Sequence, residues 1–197
     1  MRSSPLGLTV LSLLHMQPLH PYGIQRLIKQ WGKDQVVNVS QRASLYRTID
    51  RLLDAELIAV RETSRDQQYP ERTVYEVTDA GRAATREWLR EMLAAPRAEY
   101  PEFPAALSFT MMLLPQELQA DLTTRAAQVR AQLTELDTAA EAARRMTLPR
   151  ITMLEDEYRR AVLTAELDWL DTVTSDLRSG ALTWDYETLA ALARDTF

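Results

Sequence analysis

Residues 44–57, "SLYRTIDRLLDAEL", put Ser44, Tyr46, Arg47 and Arg51 on the side of one helical segment that its leucines leave free. Guanidinium groups make paired hydrogen bonds to phosphates and to the guanine edge, and hydroxyls hold phosphate oxygens, so this set suits a polyanion better than a reaction. Residues fitted for covalent or acid–base chemistry are sparse. There is no cysteine, which excludes thiolate catalysis, disulfides and cysteine-ligated zinc. The two histidines, His15 and His20, come with no His-x-x-x-His and no carboxylates at ligand spacing, and His20 beside Pro21 reads as a turn or N-cap residue. No nucleophile elbow, P-loop or G-x-G-x-x-G is found, and five glycines leave little for phosphate-cradling loops. Glu155, Asp156 and Glu157 are consecutive, so on a helix they diverge and form a solvated acidic face. The expectation is no enzyme, no metal and no cofactor.

The arginine-bearing segment needs a scaffold, and the hydrophobic spacing supplies one. Leu6, Val10, Leu13 and Leu14 lie on one helical face behind Pro5, giving a first helix at roughly 5–16. Ile24, Leu27, Ile28 and Trp31 resume the period after "QPLHPYG", for a second helix at roughly 21–31. Ser40 is placed to cap a third, at roughly 41–55, with Leu45, Ile49, Leu52 and Leu53 inside. Gln41 and Arg42 then fall in its opening turn, although Arg42 leans back toward the buried side.

Leu57 to Val60 and Thr73 to Val77 are β-branched and aromatic runs flanking a polar tip, which predicts a hairpin with a long loop. The tip carries Arg61, Arg65, Gln67, Gln68 and Arg72, diluted by Glu62, Asp66 and Glu71. Thr78 reads as the N-cap of a fourth helix over "DAGRAATREWLREML". Helix, helix, helix, hairpin, helix is the order of a winged helix-turn-helix, in which the third helix enters the major groove and the hairpin touches the adjacent backbone.

Pro96, Pro101 and Pro104 stop helices, so the module boundary is set there: 1–94 as a DNA-binding domain, 95–197 as a helical dimerisation and effector domain. Leu122, Val129, Leu133, Leu136, Ala140 and Ala143 follow coiled-coil spacing. Thr147 to Arg150 turn the chain into another long helix ending near Ser179-Gly180, with a short one from Asp185 to Arg194. On the 150–178 helix, Ile151, Tyr158, Val162, Ala165, Trp169 and Val173 share one side, while Leu163, Leu167, Leu170 and Leu177 lie roughly 120–160° away. Two apolar faces call for two partners, one of them in a second subunit. The fold class is thus mainly α: an N-terminal winged helix-turn-helix followed by antiparallel long helices.

Charge agrees with this division. Of 197 residues, 46% are hydrophobic and 26% charged, as in a globular protein, and the net charge is −5. Up to Met92 there are 13 basic and 11 acidic residues; from Leu93 there are 10 and 17, so only the first half tolerates a polyanion. The N-terminal apolar run is short, broken by Thr9, Ser12 and His15, and lacks a small-residue cleavage site, so it reads as helix rather than signal peptide. No stretch approaches the roughly 18 apolar residues of a membrane span. A soluble, cytoplasmic chain is expected.

"HPYGIQRLI", "SLYRTIDRLLDAELI" and "YEVTDAGR" stand in the order and spacing of PadR-type transcriptional regulators, which residues 5–92 resemble. "LEDEYRRAVLTAELDWL" followed by "LRSGALTWD" is similar to the helical C-terminal domain of the longer PadR-like proteins. The resemblance implies a winged-helix DNA-binding domain, a homodimer built by C-terminal helices, and repression relieved by a small molecule or stress signal. It also implies DNA contact by Ser44, Tyr46, Arg47 and the wing. Two positions depart from the pattern: Pro21 and Glu56 stand where glycine is common.

The expected interface is therefore Gln41, Arg42, Ser44, Tyr46, Arg47, Arg51, Arg65, Gln67 and Arg72, on double-stranded DNA bearing a palindromic operator. Trp88, Phe109, Met112 and Trp169 are candidates to line a pocket for a small hydrophobic effector, against the plainer reading that they pack in cores. A winged-helix protein-interaction adaptor without DNA is the alternative, given the near-neutral first half.

Overall fold

The computed structural model of the protein describes residues 2–39, 42–64 and 72–186. The chain divides into two compact units, Met1–Glu99 and Tyr100–Phe197.

In the first unit, α1 (Pro5–Met16) starts with proline at its first helical position, and Ser4 caps it by accepting the Gly7 N–H at 3.1 Å. Val10, Leu11, Leu13 and Leu14 are all buried, more than a single stripe, because α1 packs against helices and sheet at once. α2 (Pro21–Gln30) is capped by His20, whose Nδ1 accepts the Gly23 N–H at 2.9 Å, as its place beside Pro21 suggests. Proline is thus accommodated where it costs no hydrogen bond. The helix stops at Gln30, and Gly32 takes φ +65° in the turn that follows.

α3 (Arg42–Asp54) buries Leu45, Ile49 and Leu52 almost completely. Ser40, the expected cap, lies outside the described residues. Just past the end of α3, Glu56 is a non-glycine residue at φ +55°, and the Leu57 N–H returns to the Leu52 carbonyl at 2.9 Å. β1 (Ile58–Ser64) and β2 (Arg72–Val77) pair antiparallel, Ile58 opposite Val77 and Val60 opposite Tyr75. Beyond Val60 the register shifts, so that Arg61 is the extra residue of a bulge and Glu62 faces Val74. β1 thereby runs four residues past the apolar run that announced it, because ladder bonds form on backbone whatever the side chains. Leu19 bridges Tyr75 in both directions, at 2.9 and 3.0 Å, as a one-residue third strand.

α4 (Asp79–Ala94) is capped by Thr78, which accepts the Gly81 N–H at 3.0 Å. Gly81 lies so close to the chain that a Cβ there would overlap the Leu57 carbonyl oxygen and press on Val77. Trp88 from α4 joins α1, α2, α3 and the sheet in one core. At the end of α4, Arg97 donates to the carbonyl and hydroxyl oxygens of Ser3, at 3.0 and 2.8 Å, while the buried Ser3 hydroxyl donates to Glu91.

In the second unit, α5 (Glu102–Leu107) forms inside the proline-rich stretch, where a helix stop was expected. Pro96 and Pro101 do stay outside helices, but Pro104 falls in the first turn of α5, where a missing N–H is harmless. α6 (Pro115–Arg145) and α7 (Leu154–Ser179) are joined by a short turn, and Gly180 ends α7 at φ +77°. Asp137 pairs with Arg160 near that turn, and Trp184 donates to the Leu113 carbonyl at the other end, so the two helices run antiparallel. Leu118, Leu122, Ala126 and Val129 meet Leu170 and Leu177, with Leu133, Leu163 and Leu167 at the margin. The opposite side of the hairpin's second arm is open: Ile151 is 73% exposed, Tyr158 72%, Val162 46% and Trp169 41%. The helix expected from Asp185 to Arg194 lies outside the described residues beyond Tyr186. No described helix is long and apolar enough to cross a membrane.

Candidate nucleic-acid interface

Because Leu45, Ile49 and Leu52 face the core, the helical period leaves Tyr46, Arg47, Asp50 and Arg51 exposed and Ser44 half-buried. Both arginines lie along the helix rather than across it. Arg47 Nε donates to the Ala43 carbonyl and Arg51 Nε to the Arg47 carbonyl, each at 3.2 Å. Arg51 also donates to the hydroxyl of buried Thr48 at 3.2 Å, and Thr48 in turn donates to the Ser44 carbonyl. These bonds stack the guanidinium groups as a ladder on one side of α3, with no carboxylate paired to either among the described residues. Arg47 Nη2 also reaches the Ser44 hydroxyl at 3.5 Å, and the donors left over on each guanidinium are open to an incoming acceptor.

The exposed ridge of α3 separates two clefts. Ser44, Arg47 and Arg51 line one of ≈ 670 Å³ that α1's start and residues Val36 to Asn38 complete. Tyr46, half-exposed, faces the other, ≈ 400 Å³, between α2, α3 and β2. The four residues expected on one free face are therefore all accessible, but they address two different hollows.

Tyr75 on β2 borders the second cleft, and its phenol is pushed above its ordinary range by burial first, then by Asp50 and Tyr46. It stays protonated and can donate. Tyr22 and Arg26 from α2 and Thr73 from β2 complete that wall, and sequence reading assigned none of them to the interface. Ile24, Leu27 and Ile28 define the inner face of α2 and would have pointed to Arg26, but nothing in "QPLHP" signals that Leu19 pairs with Tyr75 and draws β2 toward α2.

Of the other expected contacts, Gln41, Arg65 and Gln67 lie outside the described residues, while Arg42 and Arg72 stand at the first positions of α3 and β2. Arg61 sits 3.6 Å from Glu76 across the hairpin, both half-exposed, so part of its charge is answered within the strand pair. The four aromatic and methionine candidates do not share one setting. Trp88 is in the core of the first unit. In the second, Phe109 and Met112 are 67% and 68% exposed, and Trp169 meets Phe103 edge-on, with Arg125 lying 3.8 Å over the Phe103 ring. Among the described residues no cluster of three His, Asp or Glu could hold a metal ion.

Residues 10–87 match the model of the transcriptional regulator PadR-like family. No curated protein matches the chain in sequence. Among solved structures, the chain is similar to Bacillus subtilis PadR in complex with operator DNA, with TM-score 0.72 and 20% identity over 88% of this chain and 99% of that one. The same protein in complex with p-coumaric acid matches with TM-score 0.71 and 20% identity, over 88% and 98% of the two chains. The Vibrio cholerae virulence activator AphA matches with TM-score 0.65 and 19% identity, over 88% and 98%. At these identities the likeness is one of fold.

Proposed function

Since the first unit carries a PadR-like regulator domain, we propose that the chain is a sequence-specific DNA-binding transcriptional regulator, acting as a repressor on palindromic operators. The observation that carries this is the ladder of Arg47 and Arg51 on the outer ridge of α3, with Ser44 and Tyr46 beside it and a buried leucine face behind. Arg47 and Arg51 read base edges; Ser44 and Tyr46 hold phosphates. Gln41, Arg42, Arg65, Gln67 and Arg72 extend this surface at the start of the helix and in the wing. Residues 1–94 supply the DNA-binding domain and 95–197 the dimerisation and effector domain, in a cytoplasmic protein.

The active form is a homodimer, built on the exposed row of Ile151, Tyr158, Val162 and Trp169. A stripe this apolar on an amphipathic helix is costly to leave in water. Two α3 helices then meet half-sites about one DNA turn apart. A small hydrophobic effector relieves binding; the partly open Trp169 and exposed Phe109 and Met112 are its candidate contacts, while Trp88 is accounted for by core packing. Gel-shift with the DNA upstream of the protein's own gene tests the proposal. A retarded band competed only weakly by unrelated duplex supports it; no retardation by any duplex, with the chain folded and dimeric, would leave the adaptor reading in its place.

A further inference from the structure

Apart from Pro21, the second cleft beside α3 is lined by His20, Tyr22, Arg26, Tyr46, Thr73 and Tyr75. Each of these side chains brings a hydrogen-bond donor, and no carboxylate is among the lining residues, the nearest negative charge felt there being that of Asp50 on the Tyr75 phenol. His20 uses Nδ1 to accept the Gly23 N–H, which leaves Nε2 as its donor nitrogen, and its ring stacks on Tyr22 with centroids 6.1 Å apart at 15°. Arg26 is exposed and makes no hydrogen bond or ion pair with the described residues, and the three phenol oxygens and the Thr73 hydroxyl have no side-chain partner among them. The donors come from three elements, and the Leu19–Tyr75 bridge fixes the distance between the start of α2 and the wing strand. A hollow of this kind is matched to a compact anion with several acceptor oxygens.

We propose that this cleft seats a backbone phosphodiester of bound DNA, with Arg26 as its charge partner and Tyr22, Tyr46 and Tyr75 as neutral donors. The inference rests on the DNA-binding reading above and adds a second contact line to it, one strand away from the base-reading arginines. Duplex rather than a free anion is favoured by position: Tyr46 belongs at once to this hollow and to the ridge that carries Arg47 and Arg51, so a strand tracking past α3 meets both. Phosphate contacts fix register without reading sequence.

The test uses the full chain, a fluorescein-labelled mixed-sequence duplex of about 30 base pairs, and anisotropy over a salt series. Arg26→Gln should weaken binding about tenfold at low salt and lower the salt exponent by about one per protomer. Tyr75→Phe, which removes one oxygen, should weaken binding several-fold with the exponent unchanged. Arg90→Gln on the exposed side of α4 controls for loss of a positive charge at a distance, and should move neither by as much. If the parent chain binds and Arg26→Gln matches it in affinity and exponent, the cleft assignment is wrong while the DNA reading stands. If the parent binds no duplex, both fall. A last arm titrates inorganic phosphate: saturation at low millimolar concentration that the duplex fails to displace would make the cleft a free-anion site and overturn the proposal.

Discussion

The Thr78 hydroxyl donates to the Glu56 carbonyl oxygen at 2.8 Å while accepting the Gly81 N–H at 3.0 Å, so one side chain both closes the turn after α3 and caps α4. The peptide it grips belongs to a residue at φ +55°, where a Cβ is strained by about 1 kcal/mol. Glu56→Gly should therefore raise unfolding free energy by about 0.5–1 kcal/mol in urea titration, and Thr78→Val should lower it by about 1–2 kcal/mol. Equal stability of parent and Glu56→Gly would show that the turn is not under strain.

Gly81 faces the same turn from the helix side. Gly81→Ala drives a methyl into the Leu57 carbonyl oxygen, and since backbone cannot yield as a side-chain tip can, a loss of about 2–3 kcal/mol is expected in the same titration.

His15 gives the fold a pH dependence. Its Nε2 lies 3.1 Å from the Thr85 hydroxyl oxygen, which itself donates to the Gly81 carbonyl, and Arg82 approaches Nδ1 at 3.3 Å. The ring is therefore neutral, donating from Nε2 and accepting at Nδ1. Burial first, then Arg82 and Arg86, hold it below its ordinary value of 6.5. The unfolded chain binds the proton more readily, so this contribution is fully present above about pH 6.5 and is lost as pH falls toward the lowered folded value. Thermal midpoints measured from pH 7.5 down to 5 should decline less for His15→Gln, which keeps a donor and an acceptor, than for the parent.

Arg47→Ala should cost about 1–3 kcal/mol of operator affinity and leave the oligomeric state unchanged, read by anisotropy and light scattering on one sample. A variant that falls apart into monomers would assign Arg47 to assembly instead.

Tyr158 stands in the middle of the open row on α7, exposed and outside the core that α6 and α7 share. Tyr158→Glu should leave helix content intact by circular dichroism while shifting the mass from dimer to monomer at micromolar concentration, because a carboxylate buried without a partner is costly. A mass unchanged by dilution would place assembly elsewhere.

The sequence showed most of the helices because their caps are local. Pro5, Pro21, Thr78 and Gly180 stand at or beside the ends they mark, and Leu45, Ile49 and Leu52 gave the inner face of α3 by period alone. Two apolar faces on α7 were also legible, one now found against α6 and the other open at Tyr158 and Val162, but Val173, read onto the second face, packs in the core with α6 because the faces converge toward the helix end. Features that depend on distant pairing were not legible. Leu19 sits between prolines and looks like turn, yet it pairs with Tyr75 far along the chain. The strand beyond Arg61 is polar and offered no apolar alternation, and the helix around Pro104 appears only once it is seen that proline occupies a first turn. On the candidate interface, the period put Tyr46 and Arg47 outside together; that they open onto separate hollows is set by α1, α2 and β2, none of which a local window contains.

The extra residue at Arg61 bends the hairpin without altering which residues of β1 and β2 face each other on either side of it. Glu62 already stands opposite Val74, so deleting Arg61 would leave Glu62 and Thr63 with their present partners and on their present faces, and would remove only the bend and the extra twist. A single codon can in this way straighten the wing while both of its surfaces and all of α3 stay as they are.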